Sequence, residues 1–448
     1  HGTPETPDEN LCKSRFNFQQ YEISLSGQTP ALTDGIPEQR ITLPGPYRFR
    51  HKYRFAMIYD FDRIPDRRNT DCEKYDRRQA IFGRKDVIPL WVADTDFEAA
   101  PFITQALEQR LRHPVLAYSF RNDRFFDAVI GWAKRRHGWT VERDWIDFSP
   151  GVVTGLVFAM QAFSESGDGV VIQPPVYPPF ARMTRLNERQ VLNNPLVWNG
   201  EKYVIDFDDL DRKLADAKIF LMSNPHNPTG RVFTRAELEQ IGELCAKHDV
   251  FIISDEIHGD LVQRPYQHIP IASLSPEIAR RTLTLFAPSK TFNIAGLSTS
   301  VAVTPDPAVR RRFRETLKRF HLDQGNIFGT VALEAAYTHG DQWLDQLNAY
   351  IGQNARFVLD FLQTHLPSVK TFLPEGTFLI WLDFRAWGMP HDEVFRFLVD
   401  EAGLGLNDGK HFGEEGIGFM RLNIGTSRAV LRQALEQLLA ACRKRGLA

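Results

Sequence analysis

From about Asp86 onward, short apolar runs alternate with stretches in which apolar positions recur every three or four residues. A short continuous apolar run suits a strand covered on both faces, and the three-to-four spacing suits a helix that turns one face to a core. The alternation therefore predicts an α/β chain of βα units on a mostly parallel sheet. Gly169 to Gln173, Ala217 to Asn224, Asp249 to Glu256 and Thr282 to Ser289 read as strands. Between the second and third of these, Thr234-Arg-Ala-Glu237 has capping-box spacing, and Leu238, Ile241, Leu244, Cys245 and His248 follow at helical intervals. One crossover is thereby outlined. After about residue 335 the texture changes to a long helical pattern, then a strand-like Thr377 to Phe384, a helix from His391 to Ala402, a glycine-rich loop and a strand from Gly418 to Ile424. This predicts a second, smaller α+β domain.

Residues 1–56 break the pattern, because Pro, Gly and polar residues recur and neither period lasts. They read as an irregular arm. Glu5, Asp8, Glu9 and Glu22, and the lack of a sustained apolar core, argue against a secretory signal and against an acid-poor transit peptide. Met57 is the first methionine of a sequence that begins with His1, so one expectation is that the native protein starts there. The resulting division is the arm (1–56), a segment contributing to the small domain (57–100), a large domain (101–335) and a small C-terminal domain (336–448).

At 448 residues, against roughly 150 per domain, the chain has room for two or three units and a sizeable core. Apolar residues at 43% and charged residues at 25% describe a globular protein rather than a disordered one. The 54 Lys+Arg nearly cancel the 56 Asp+Glu, so no global positive field would draw in nucleic acid or an anionic membrane. The longest mostly apolar stretch, Gly151 to Phe163, is shorter than the roughly 20 residues that span a bilayer. Cys12, Cys72, Cys245 and Cys442 lie far apart with no CxxC pair, which points away from a zinc site and a disulfide framework and toward a reducing, cytoplasmic home.

The chemistry concentrates at three strand ends. In Ala287-Pro-Ser-Lys-Thr-Phe-Asn-Ile-Ala-Gly296 one lysine, Lys290, ends an apolar strand among small and apolar neighbours. A desolvated ammonium loses part of its preference for the charged form, leaving an amine able to form a Schiff base. Asn224-Pro-His-Asn-Pro-Thr-Gly230 places Asn227 in a rigid loop after an earlier strand, and Ser254-Asp-Glu-Ile-His258 places Asp255 at the end of the next. Open α/β sheets bind ligands at this edge. Alone, each has an ordinary reading: a surface lysine, a turn, a solvated acid. The ordered set of amide, carboxylate and amine is the informative feature. Arg421, within an alternating strand, requires an anion, either a ligand or a structural ion pair.

These segments, with PLWVADTDF (Pro89 to Phe97), PPVYPPF (Pro174 to Phe180) and GFMRLNIG (Gly418 to Gly425), resemble the fold-type I pyridoxal-phosphate (PLP) dependent enzymes of the aminotransferase class I/II superfamily. Within it they resemble the MalY/PatB-type cystathionine β-lyases, or C–S lyases, from about residue 57 to the C-terminus. The resemblance implies a large domain with a mostly parallel seven-stranded sheet, a smaller α+β C-terminal domain, and PLP as cofactor, with no metal. It gives Lys290 the Schiff base and the catalytic base role, Asp255 the pyridine nitrogen, Asn227 the ring hydroxyl oxygen, and Tyr177 the ring face and a share in catalysis. Gly151, Val152 and Val153, at a helix N-terminus, and Ser289 would hold the phosphate. Tyr118 would reach the phosphate of a neighbouring subunit and take part in catalysis there, which makes the protein a homodimer with shared sites. Arg421 would grip the substrate α-carboxylate, with Val92 and Ala93 beside it.

Two departures bear on the reaction. Typical class I aminotransferases have tyrosine three residues after the ring aspartate, where this chain has His258, and arginine eight residues after the lysine, where it has Ser298. Both fit the C–S lyase branch, with His258 beside the cofactor. The implied activity is α,β-elimination of a small-molecule sulfur amino acid, L-cystathionine or another S-substituted L-cysteine, to a thiol, pyruvate and ammonia. An aminotransferase and a non-catalytic binding protein are the alternatives, and the presence together of Asn227, Asp255, Lys290 and Arg421 weighs against the second.

Overall fold

The structure is a computed structural model, and residues 59–448 are described; what the sequence suggests for residues 1–56 lies outside them. The apolar runs pair into one seven-stranded sheet, in the order Ile146–Ser149, Ser300–Val303, Thr282–Phe286, Phe251–Asp255, Ala217–Ser223, Gly169–Ile172, Gln190–Asn193. All neighbours pair in parallel except Ser300–Val303, which runs against both Thr282–Phe286 and Ile146–Ser149. The predicted strands are present but shorter, for local reasons. Asp249 takes a left-handed φ of 52°, so its strand starts beyond it at Phe251. Asn224 leaves the ladder by donating its amide to the Asp255 carbonyl at 3.0 Å, and the strand before Lys290 gives way to turns after Phe286.

Both faces are covered, as parallel sheets require. The apolar run near Gly151 is the helix Val152–Phe163, whose Leu156, Ala159 and Met160 pack in one cluster with Ile253, Leu283 and Leu285. The predicted crossover helix is Arg235–Lys247, with both halves of its capping box made: Glu237 N–H donates to Thr234 Oγ1 and Thr234 N–H to Glu237 Oε2. Its Leu238, Ile241 and Cys245 pack with Phe220 and Ile252 on the opposite face. Thus strand ends, rather than sheet faces, remain for function.

The second sheet has the order Ile88–Leu90, Leu404–Asp408, Phe419–Asn423, Leu379–Asp383. Its first strand comes from early in the chain and pairs in parallel with Leu404–Asp408, whereas the remaining pairs are antiparallel. The long helical pattern is Asp341–His365, and the next predicted helix spans His391–Asp400, ending before Gly403 at a φ of 66°. No helix among the described residues is long and apolar enough to cross a membrane.

Candidate active site

The three predicted strand ends converge on one cavity of about 200 Å³, lined by Asn227, Asp255 and Lys290 together with Tyr177, His258 and Ser289. The loop that aims Asn227 is held from several sides. Asn224 Oδ1 accepts the Phe233 amide at 3.0 Å, and the buried His226 ring bridges the Gln173 carbonyl and the Thr229 hydroxyl. Gly230 has a φ of 68° and backs onto Pro374, so a side chain there would meet both strain and a clash. The buried Arg231 closes the loop by bridging Glu375 at 3.0 Å and Glu237 at 3.0 Å.

Lys290 Nζ donates to the Ala93 carbonyl at 2.7 Å. Burial lowers its pKa to about 8, assisted by the Arg421 charge and opposed by Asp94 and Asp255. Asp255 is buried, and its Oδ1 accepts the Ile257 amide at 3.1 Å. Burial raises its pKa to about 7, against that hydrogen bond and the attraction of Lys290. An amine and an acid that both titrate near neutrality thus share one cavity. His258 is held well below the usual imidazole range by burial and by the Lys290 and Arg421 charges, so its ring is neutral, and its Nδ1 has no partner among the described residues. Burial and the nearby Asp255 push the Tyr177 phenol upward, so it stays protonated.

Arg421 sits mid-strand, opposite Trp381 and Asn407 in the ladders. Its guanidinium is buried, donating from Nη1 to Asn227 Oδ1 at 3.0 Å and from Nη2 to the Trp91 carbonyl at 2.7 Å, while Nε has no partner among the described residues. The Phe412 ring lies 5.0 Å from it. Burial lowers its pKa to about 10. Among the described residues no carboxylate forms an ion pair with it, so the structural ion pair considered from sequence is not what occupies this arginine. A buried cation without a counter-ion is costly unless an anion arrives.

The helix Val152–Phe163 begins at the cavity, with Gly151 as its N-cap at a φ of 95° and no capping side chain. Its first-turn amides have no intrahelical acceptors and, with the helix dipole, favour an anion there. Thr154, Ser298 and Thr299 also line this part of the cavity, and sequence reasoning assigned them no role. A reactive amine, an acid near neutrality, an aromatic wall and an anion cradle together fit a phosphorylated aromatic aldehyde.

Of the remaining sequence-derived candidates, Ala93 lines the cavity, whereas Val92 meets the site only through its carbonyl, which accepts Asn423 Nδ2 at 2.6 Å. Tyr118 is fully exposed in an irregular stretch and does not line the cavity of this chain. Asn423 was missed although the signal was present: it follows Phe419 and Arg421 with period two, on the same strand face.

Residues 85–438 match the model of the aminotransferase class I and II family. Among curated proteins, the chain is 46% identical over 384 residues to cystathionine beta-lyase PatB of Bacillus subtilis (strain 168), covering 85% of this chain and 99% of that protein. It is 34% identical over 391 residues to protein MalY of Escherichia coli (strain K12), covering 86% and 99%. Among solved structures it resembles cystalysin from Treponema denticola, which contains a pyridoxal 5'-phosphate cofactor, with a TM-score of 0.84 and 35% identity over 87% of this chain and 100% of that one. A PLP-bound C–S lyase from Staphylococcus hominis aligns with a TM-score of 0.80 and 32% identity over 86% and 99%. With its large parallel sheet, its second sheet and a family match that spans most of its length, the chain belongs to the aminotransferase class I and II family.

Proposed function

We propose that this chain is a PLP-dependent carbon–sulfur β-lyase that converts L-cystathionine, or a related S-substituted L-cysteine, and water to a thiol, pyruvate and ammonia. The observation that carries the reading is the amine of Lys290 in one cavity with Asp255, beside a buried arginine that has no carboxylate partner among the described residues. The names of the proteins it is similar to support the same reaction.

PLP, when bound, supplies an aldehyde that joins an amine and a ring that accepts electrons from the substrate Cα–H bond. Lys290 gives the amine that bonds to the aldehyde. With substrate in place the free Lys290 amine, poised near neutral pH, would be the base that takes the Cα proton. Asp255 would pair with the ring nitrogen and keep a proton there. Tyr177 would pack on the ring, and Asn227, whose Oδ1 is engaged by Arg421, has its Nδ2 hydrogens left for the ring oxygen. The Val152 and Val153 amides, with those of Gly151 and the Ser289 hydroxyl, would hold the phosphate. Arg421 receives the α-carboxylate, with its unpartnered Nε as the first free donor. The β-carbon–sulfur bond then breaks, and the leaving thiolate takes a proton from the Lys290 ammonium or the Tyr177 hydroxyl.

On the same reading, residues 101–335 form the cofactor-holding domain, with 57–100 and 336–448 forming the smaller one. The working unit is a homodimer, supported by the large apolar side chains Leu111, Val115, Leu116, Tyr118 and Phe120 exposed within one short stretch. Tyr118 would then serve the partner's phosphate site. The described cysteines, Cys72, Cys245 and Cys442, are all free, which supports a reducing compartment.

The test is to supply the loaded protein with L-cystathionine and no keto acid. Pyruvate, followed by coupled reduction to lactate, and free thiol should appear in equal amounts; an aminotransferase would release neither. Arg421→Ala should raise KM by about tenfold or more, because a charge-assisted pair is worth about 1.5–3 kcal/mol, with a smaller change in kcat. Steady-state kinetics check this, and an unchanged KM would remove the carboxylate from Arg421.

A further inference from the structure

The segment from Trp91 to Asp94 is bound to the site by its backbone. The Trp91 carbonyl accepts Arg421 at 2.7 Å, the Val92 and Asp94 carbonyls accept Asn423 at 2.6 Å each, and the Ala93 carbonyl accepts Lys290 at 2.7 Å. The two residues given the substrate carboxylate and the proton transfer therefore rest on one strap. Beneath it lies a quartet of charges that the proposed reaction does not use. Lys74 is fully buried, 3.0 Å from Asp96 and 3.5 Å from Asp94. Arg67 bridges the same two acids at 2.6 and 2.9 Å and also donates to the Thr95 carbonyl at 3.0 Å. Lysine is almost never fully buried unless paired, and a buried pair that loses one partner leaves an uncompensated charge. Two cations against two carboxylates satisfy that condition. Trp91 ties the strap back to the Lys74 backbone by donating from Nε1 to its carbonyl at 3.1 Å.

We propose that Lys74 and Arg67, through Asp94 and Asp96, form a clamp that positions the strap for catalysis, setting the Ala93 and Trp91 carbonyls against Lys290 and Arg421 and fixing the Asp94 carboxylate near Lys290. Lys74 and Asp94 are positioning residues in this scheme. The proposal rests on the lyase reading for the word catalysis, but its geometry does not. The charged or titratable groups acting on Lys290 are Asp94, Asp255 and Arg421, with His258 neutral beside them. Of these, Asp94 is the one the clamp controls.

Competitive labelling of Lys290 by an amine reagent across pH, read by peptide mass spectrometry on the cofactor-free protein, tests the clamp without turnover. In the unaltered protein, labelling should reach its midpoint at about 8. Asp94→Asn removes a carboxylate and should move the midpoint down; Lys74→Met releases Asp94 from its place and should also move it down, toward the Asp94→Asn value. In the loaded enzyme, Lys74→Met should raise KM for the thioether by about tenfold or more through misplacement of Arg421, with kcat falling less. A Lys74→Met midpoint that stays at the wild-type value or rises, or an unchanged KM in that variant, would overturn the clamp. Should Lys74→Met fail to fold, Arg67→Gln, which removes the other cation of the quartet at a side chain that is 19% exposed, decides by the same midpoint and KM. Loaded wild-type protein that releases neither thiol nor pyruvate would instead overturn the lyase reading, while the labelling midpoints still decide the clamp.

Discussion

Lys290→Ala should leave less than about one part in 10⁴ of the lyase turnover, because it removes both the amine that bonds the cofactor and the base that takes the Cα proton, and proton transfer alone is typically worth about 10²–10⁴-fold. Borohydride reduction of the loaded wild-type protein should add the reduced cofactor mass to the peptide that contains Lys290. The variant should show no such adduct while still retaining cofactor weakly, through the cradle at Gly151 to Val153 and through Asp255. Pyruvate release at the wild-type rate would end the proposed mechanism. Partial rescue by added small amines would support it, since the strap and Arg421 would still position the substrate.

Asp255→Asn should act in opposite directions on activity and on stability. Turnover should fall by at least about 10²-fold, because a neutral amide cannot hold a proton on the ring nitrogen and Cα–H cleavage becomes harder. Cofactor-free protein should become more heat-stable above neutrality. The reasoning follows from the sign of the shift: Asp255 titrates at about 7 when folded, above its ordinary 3.8, so the folded state holds its proton more tightly than the unfolded one. The carboxylate therefore costs nothing below pH 4, and its cost grows as pH rises to about 7 and stays in full above that. Thermal unfolding of apo wild type and variant at pH 8 and pH 4 checks this: a gain of several degrees is expected at pH 8 and none at pH 4. Equal melting at both would mean that the acid is better solvated than its setting between Tyr177 and Ile257 indicates.

The sequence carried the elements of the site that lie at strand ends. Asn227, Asp255 and Lys290 were legible because each lies at or just past the end of an apolar run, and parallel βα units bring such ends to one edge. Strand limits were less legible, since nothing in the residue types announces the left-handed Asp249 or the departure of Asn224 toward Asp255. The short strands Ile146–Ser149, Gln190–Asn193 and Ser300–Val303 gave too few positions for a period to show. Arg421 was legible as a charge within a strand, but its carboxylate-free setting depends on Trp91, Asn227 and Phe412, which no local pattern connects. The charge quartet under the strap was invisible for the same reason: Lys74 reads as a surface residue until Asp94 and Asp96 are folded onto it.

The strand Ile88–Leu90 lies among partners contributed by the far end of the chain, and Trp91, just past it, receives Arg421 from 330 positions away. During synthesis the large sheet can form while the last strands of the small one are still inside the ribosome, so the lysine would be in place well before the arginine. Long-separation pairings of this kind are slow to close. A nascent chain stalled or truncated before Phe419 would thus have a cofactor pocket and no substrate grip, and competence would arrive only with the final few dozen residues.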